Sequence, residues 1–187
     1  MIESIGTEKA TVSFTAMADA TPEEWTAVLS AEVPRVRPLA EDVLLQLQEI
    51  GGDPGALAVD RLTHCLQTAT RAEREGRSDL YVLAALVHDV GDTLAPRNHS
   101  ALAAAMLQPY LPEELHWMVL HHGEFQFYYY GQYVGVDPDL REQYRGHACF
   151  DLTEEFCAEF DQNSFDPSYL TEPLEHFAPL VRQYMCQ

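Results

Sequence analysis

The sequence predicts an all-α helical bundle forming a single domain, and three observations carry that prediction. Helix-start signals recur: Thr21 with Glu24 three residues on and Pro22 between them, Ser78 before an apolar run, and Pro112 ahead of Glu113 and Glu114. Apolar residues return at helical spacing, as in Leu115, Met118, Val119 and then His122 at i, i+3, i+4 and i+7. No stretch needs a sheet, and the connections are short. With 47% apolar residues in 187, the chain fills one core. We expect an arm over residues 1–20 and the bundle over 21–187.

In chain order, Ala10 to Phe14 reads as a short strand or an arm. The Thr21–Glu24 box opens a helix from about Pro22 to Val33, and Pro34 and Pro38 precede a second that ends at Gly51-Gly52. Asp53-Pro54 then reads as the N-cap and first turn of a long helix through His64 to Gly76. Ser78 caps a short helix that carries Leu83, Leu86 and Val87 into the core and stops near Gly91. After a polar loop, Asn98 is placed to cap a helix that starts with His99 and runs to about Tyr110. Another follows Pro112. The aromatic run Phe125 to Tyr133 reads as a lid or loop packed over the core. Asp137-Pro138 starts a further helix, the next begins near Asp151 and brings in Phe156, Phe160 and Asp161, and the last spans about Pro173 to Met185.

Charge narrows the partners. Thirty acidic residues face 11 basic ones, Lys9 being the one lysine, for a formal charge of −19. Such a field repels polyanions, which argues against nucleic acid or an anionic membrane as partner and leaves a small molecule. No apolar run approaches the roughly 20 residues needed to span a bilayer. The start lacks a basic-then-apolar leader, so we expect a cytoplasmic protein. Cys65, Cys149, Cys157 and Cys186 have no C-x-x-C spacing and suit buried thiols.

The chemistry-bearing stretch is Tyr81 to Asp92, where an apolar run ends in His88-Asp89. Burying an imidazole beside a carboxylate is costly unless a cation or hydrogen bonds receive them, and a divalent metal receives both. Adjacent residues on a helix point about 100° apart, so one ion takes both only near the helix end. Taken alone, the pair reads equally well as a core histidine beside a capping aspartate. Further nitrogen and oxygen donors are His64, His99, His122 and Asp161, each from a different helix or helix end. Helical phase prefers His122 to His121, which lies alongside Trp117. Asp151 and Asp166 are the rivals of Asp161. His116, His147 and His176 read as surface or structural residues. Six donors exceed what one open site takes, so two ions bridged by Asp89 is the natural count. Without thiolates, the set suits iron or manganese at least as well as zinc.

These residues resemble the signature of the HD-domain superfamily over about Asp53 to Asp166. The strings that carry the resemblance are Leu62-Thr63-His64-Cys65-Leu66-Gln67-Thr68-Ala69, Ala84-Ala85-Leu86-Val87-His88-Asp89-Val90-Gly91, Asn98-His99-Ser100 and Glu159-Phe160-Asp161. They look most like the branch that activates dioxygen on two irons, the aminohydroxyethylphosphonate oxygenases and, more distantly, myo-inositol oxygenase. The resemblance implies a first metal on His64, His88 and Asp161, a second on His99 and His122, and Asp89 bridging them as the catalytic carboxylate. It further implies a mixed-valent Fe(II)/Fe(III) pair that uses O2 to cleave a C–P or C–C bond in a small hydroxylated acid, such as 1-hydroxy-2-aminoethylphosphonate or its trimethylammonium analogue. Nearly the same six ligands serve dinuclear phosphohydrolases, and that is the alternative function; manganese or another divalent metal is the alternative to iron. A non-catalytic metal-bearing, metabolite-binding domain ranks third.

Two of the residues proposed to meet substrate follow from the same resemblance. Gln126 stands where the phosphonate oxygenases carry a lysine that helps bind phosphonate, and Asp92 where they carry a basic residue. No tyrosine or glutamate lies between Gly52 and Asp60, unlike in those enzymes. An acid at 92 makes a cationic substrate group conceivable, caged by Tyr130 and its neighbours from Tyr128 to Tyr133, although packing is the plainer reading. Arg97, Arg145 and His121 are the remaining candidates, the arginines for steering an acid group.

Overall fold

The computed structural model describes residues 12–32 and 39–185, which fall into two units divided between residues 37 and 38. Among the described residues there are helices and no strands. No helix among them is long and apolar enough to cross a membrane.

In the first unit a turn at Met17–Asp19 leads into α1 (Pro22–Glu32). The capping box is formed: the Glu24 N–H donates to Thr21 Oγ1 at 3.2 Å and the Thr21 N–H to Glu24 Oε2 at 2.9 Å. The Ser13 backbone and hydroxyl both donate to Glu24 Oε1 at 2.8 Å. The bonds from Thr21 and Ser13 hold the Glu24 carboxyl down at about 2. Val12 to Phe14 form no strand, and Phe14 packs on Trp25 with ring centres 5.6 Å apart. Ala10, Thr11, Val33, Pro34, Pro38 and Cys186 lie outside the described residues.

The second unit holds α2 (Leu39–Glu49), α3 (Arg61–Arg74), α4 (Asp79–Val87), α5 (His99–Leu107), α6 (Glu113–Val134), α7 (Phe150–Glu155) and α8 (Leu174–Tyr184). At its centre lies α4, buried on every side from Tyr81 to Val87, as befits a helix without a polar face. Ser78 caps it, accepting from the Tyr81 N–H at 3.4 Å. Helices α3 and α6 pack against it, α5 packs on α6, and α2 pairs with α8.

Three expectations are corrected here. The long helix does not start at Asp53: residues 53–60 form a loop in which Asp53 Oδ1 accepts from the Gly55 N–H at 2.9 Å and Gly55 turns left-handed at φ +57°. Asp60 is the real cap, its oxygens accepting from the Thr63 N–H at 2.7 Å and the Gly52 N–H at 2.9 Å. The aromatic run is no loop but the second half of the 22-residue α6, which closes on Gly135 at φ +76°. Asp137-Pro138 leads only to a short 3₁₀ turn, Leu140–Tyr144. Beyond Glu155, α7 widens into a π-helical turn, Phe156–Asp161, whose loosened carbonyls are taken up by Gln162 and Asn163.

Candidate metal centre

The second unit brings six donors from five segments together. His64 sits on the second turn of α3, in a register fixed by the Asp60 cap. α4 ends at Val87, so His88 and Asp89 lie just past its last turn, where adjacent side chains can converge. His99 opens α5, His122 comes from mid-α6, and Asp161 closes the π turn. Apart from His99, whose side chain is 20% exposed, all are buried.

Asp89 divides them. Its Oδ2 lies 3.5 Å from His64 Nε2 and 3.6 Å from His88 Nε2, while Oδ1 lies 3.2 Å from both His99 Nε2 and His122 Nε2. Asp161 Oδ1 stands 3.1 Å from His64 Nε2 and 3.6 Å from His88 Nε2, completing the first side. Two triads, His64–His88–Asp161 and His88–Asp89–His122, each place their ligand atoms within 4.8 Å of one another, and each can hold a metal ion.

The chemistry of these atoms favours a cation. Each imidazole turns Nδ1 to a backbone carbonyl: His64 to Ser164 at 3.1 Å, His88 to Ala85 and His122 to Val119 at 2.7 Å, and His99 to Pro96 at a long 3.5 Å. Carbonyls only accept, so each Nδ1 carries the proton and each Nε2 offers a lone pair. His64 and His88 then oppose those lone pairs at 3.2 Å, beside two carboxylates. His99 Nε2 and Asp161 Oδ1 are buried without a hydrogen-bond partner. Acceptors facing acceptors need a cation or protons between them. Burial presses the His64 and His88 imidazoles toward neutrality, yet Asp161 and Asp89 hold both above their ordinary range. Burial works against the carboxylates too, but the surrounding imidazoles keep Asp89 and Asp161 well below theirs. Burial lowers His99.

Apolar rings wall the cluster. Phe165 stacks on His64 at 4.4 Å, and Phe156 meets His88 and His122 edge-on at 5.4 and 6.3 Å. Gln126 donates to Asp161 Oδ2 at 2.6 Å, leaving Oδ1 toward the histidines. Gly123 lets α6 approach α5: a Cβ there would stand 2.9 Å from Ser100 Oγ and 3.8 Å from His99 Nε2. Gly123→Ala is expected to be nearly neutral, because a gain of about 1 kcal/mol in helix propensity offsets pressure on a rotatable hydroxyl. Gly123→Val reaches further and displaces the His99 ring. Metal analysis of the purified variant should find less metal per chain than in wild type; an unchanged content would show that the close approach is unimportant.

Two cavities flank the centre. One of about 450 Å³ is lined by Arg61, Gln126, Tyr129, Tyr130 and Phe165 among others, and one of about 580 Å³ by Arg97, His99, His121, Glu124 and Tyr130 among others. The expected substrate residues therefore separate. Gln126 and Tyr130 line the first cavity; Arg97, His121 and Tyr130 line the second. His121 is engaged with Glu124 at 2.7 Å. Arg145 lies in neither lining: it pairs with Glu142 at 2.6 Å and covers the Phe150 ring. No tyrosine cage forms, because successive tyrosines on one helix diverge. Tyr128 is covered by Arg141 at 3.7 Å, and Tyr133 is 80% exposed. Of the rival acids, Asp151 is exposed and Asp166 is held in a turn by Ser168. His147 stacks on Trp117, and His176 pairs with Glu73. Cys65, Cys149 and Cys157 are free and buried.

Sequence reasoning missed Arg61 and Phe165. Arg61 donates through Nε to Asp92 Oδ2 at 3.0 Å and brings Nη1 within 3.8 Å of Asp89 Oδ2. A usable signal existed: Arg61 precedes His64 by three residues, which on a helix is one face.

Residues 61–149 match the model of the HD domain, a span that contains Arg61 and every donor of the cluster except Asp161. HD domains are typically metal-dependent enzymes that bind divalent metals. No curated protein matches the chain.

Proposed function

We propose that this chain, which carries an HD domain, is a dinuclear iron oxygenase that uses O2 to cleave a C–P or C–C bond in a small hydroxylated, acid-bearing substrate. The observation that carries the reading is the division of Asp89, with Oδ2 toward His64 and His88 and Oδ1 toward His99 and His122. A single ion would leave one side unanswered. Asp161 would hold the first ion together with His64 and His88. Four nitrogens, two carboxylates and no thiolate suit iron or manganese. When bound, such a pair supplies Lewis acidity and electron transfer toward substrate and O2.

The chain's own part is to fix and shield. Backbone carbonyls lock the rings of His64, His88 and His122 in one tautomer, Gln126 orients Asp161, and Phe156 and Phe165 cover the histidine faces. A cavity of about 450 Å³ accepts a molecule of metabolite size. The trimethylammonium analogue has little support, since Asp92 is already matched by Arg61. A metal-dependent phosphohydrolase is the second reading, favoured by the guanidinium of Arg61 beside the shared carboxylate, where a phosphate ester would be met.

Anoxic purification followed by iron counting and electron paramagnetic resonance tests the proposal. Two irons per chain, a coupled mixed-valent signal and O2 uptake dependent on 1-hydroxy-2-aminoethylphosphonate or a related hydroxy acid are expected. Release of phosphate from p-nitrophenyl phosphate under argon, with no O2 uptake from any hydroxy acid offered, would replace it with the second reading. Absence of both reactions in the metal-loaded protein would leave the non-catalytic domain.

A further inference from the structure

We propose that Arg61, held side-on by Asp92, receives the acid group of the substrate in the 450 Å³ cavity, so that this site selects an oxyanion and rejects an ammonium group. The inference rests on the dinuclear reading above and adds the residue that decides which charge the cavity accepts.

Among the described residues, Arg61 is the one charged group lining that cavity; its companions are Leu57, Gln126, Tyr129, Tyr130, Gln162 and Phe165. In a chain of net charge −19, a cavity lined by a guanidinium and no carboxylate stands apart from the acidic surface, with Asp92 and Asp89 lying behind the guanidinium rather than in the lining. A guanidinium carries five N–H donors. Among the described residues, the one side-chain hydrogen bond of Arg61 is Nε to Asp92 Oδ2 at 3.0 Å, and its Nη1 makes only a long ion pair with Asp89 Oδ2 at 3.8 Å, beyond hydrogen-bond reach. The terminal N–H groups are thus left for a ligand. Its side chain is 33% exposed, which keeps the charge accessible.

Asp92 has a different task from the one its charge suggests. By taking Nε it fixes the guanidinium plane and leaves the Nη edge presented, the geometry a planar or tetrahedral oxyanion meets with two parallel bonds. The helix N-terminus is not the anion site, because Asp60 already caps it. Closeness to Asp89 Oδ2 also bounds the ligand, whose acid group sits beside the cluster rather than across the cavity. Leu57 and Phe165 meet its carbon part.

The test is calorimetric titration of the metal-loaded protein, and in parallel of the metal-free protein, with methylphosphonate, acetate and tetramethylammonium. The same series is run on Arg61→Gln, Arg61→Lys and Asp92→Asn, with metal content measured for each. Wild type is expected to bind an oxyanion about tenfold or more tightly than Arg61→Gln does, with Arg61→Lys between them. Asp92→Asn, which loosens the guanidinium without removing it, should lose less. Preference for methylphosphonate assigns a tetrahedral acid, and preference for acetate a carboxylic one. Tighter binding of tetramethylammonium than of both anions, no anion binding by wild type, or unchanged anion affinity in Arg61→Gln would each overturn the proposal. Failure of wild type to hold metal would count against the dinuclear reading alone, because the wild-type to Arg61→Gln ratio in metal-free protein still reports on Arg61.

Discussion

On the dinuclear reading, asparagine at position 89 is expected to strip both ions from the centre while leaving the fold intact. Each oxygen of Asp89 serves a different pair of imidazoles, so one substitution reaches both sides. A carboxamide keeps the shape but brings no charge, and only its oxygen can bind a hard cation. Its NH2 can instead donate to an Nε2 lone pair, which answers part of the acceptor crowding by itself. The metal-free variant should therefore melt within a few degrees of the metal-free wild type. Metal affinity should fall by more than about a hundredfold, since even partners one step removed from the ions are worth 10- to 100-fold. Dialysed protein assayed for metal reads the loss, as does O2 uptake if the proposed oxygenase activity holds. His99→Ala is the internal control: it touches one side only, and the ion on His64, His88 and Asp161 should persist. If Asp89→Asn kept two ions per chain, the shared carboxylate would be an accident of packing.

The residues of the centre were legible because their types and helical phases are local properties. His122 follows Leu115, Met118 and Val119 in phase, and His88-Asp89 stands at the end of a buried helix, the one place where adjacent side chains can meet. Caps were legible where one side chain decided them, as at Thr21 and Ser78. At Asp53 the same logic failed, since Asp-Pro resembles a helix start and the left-handed Gly55 that prevents it leaves no distinct trace in the sequence. The second half of α6 was hidden by its aromatic density and by Gly131, a weak helix former. Gly131 is there for space: a Cβ would stand 2.8 Å from the Val136 carbonyl oxygen. What could not be read at all is tertiary. Arg61 and Asp92 are 31 residues apart, Phe165 reaches His64 across about 100 positions, and nothing in Phe156 to Asp161 announces a π turn. That is why the sequence offered Asp92 as an anionic contact, whereas in the fold its partner is the chain's own guanidinium.

The largest stability effect is expected at Phe156, which is fully buried and touches chemistry on two sides. Its ring lies 6.1 Å from Tyr81 in the core, and it closes edge-on over His88 and His122. Phe156→Ala removes most of a side chain from the π turn that also positions Asp161. A truncation of this kind costs about 3–5 kcal/mol. For a domain of this size that is a fall of roughly 10–15 °C in melting temperature. Phe156→Leu refills most of the volume and should cost only about 1.5 kcal/mol, although the edge contacts with the imidazoles go with the ring. The two variants separate packing from ring positioning. If Phe156 only fills space, Leu restores both the melting temperature and the metal affinity. If it also holds the two imidazoles at their angle, Leu restores the melting temperature but leaves the ions about tenfold weaker, as expected for a partner that orients a ligand without binding the metal. Thermal melts of the metal-free proteins beside competitive metal titrations distinguish the outcomes, and a Phe156→Ala protein melting within about 2 °C of wild type would mean that this wall bears no load.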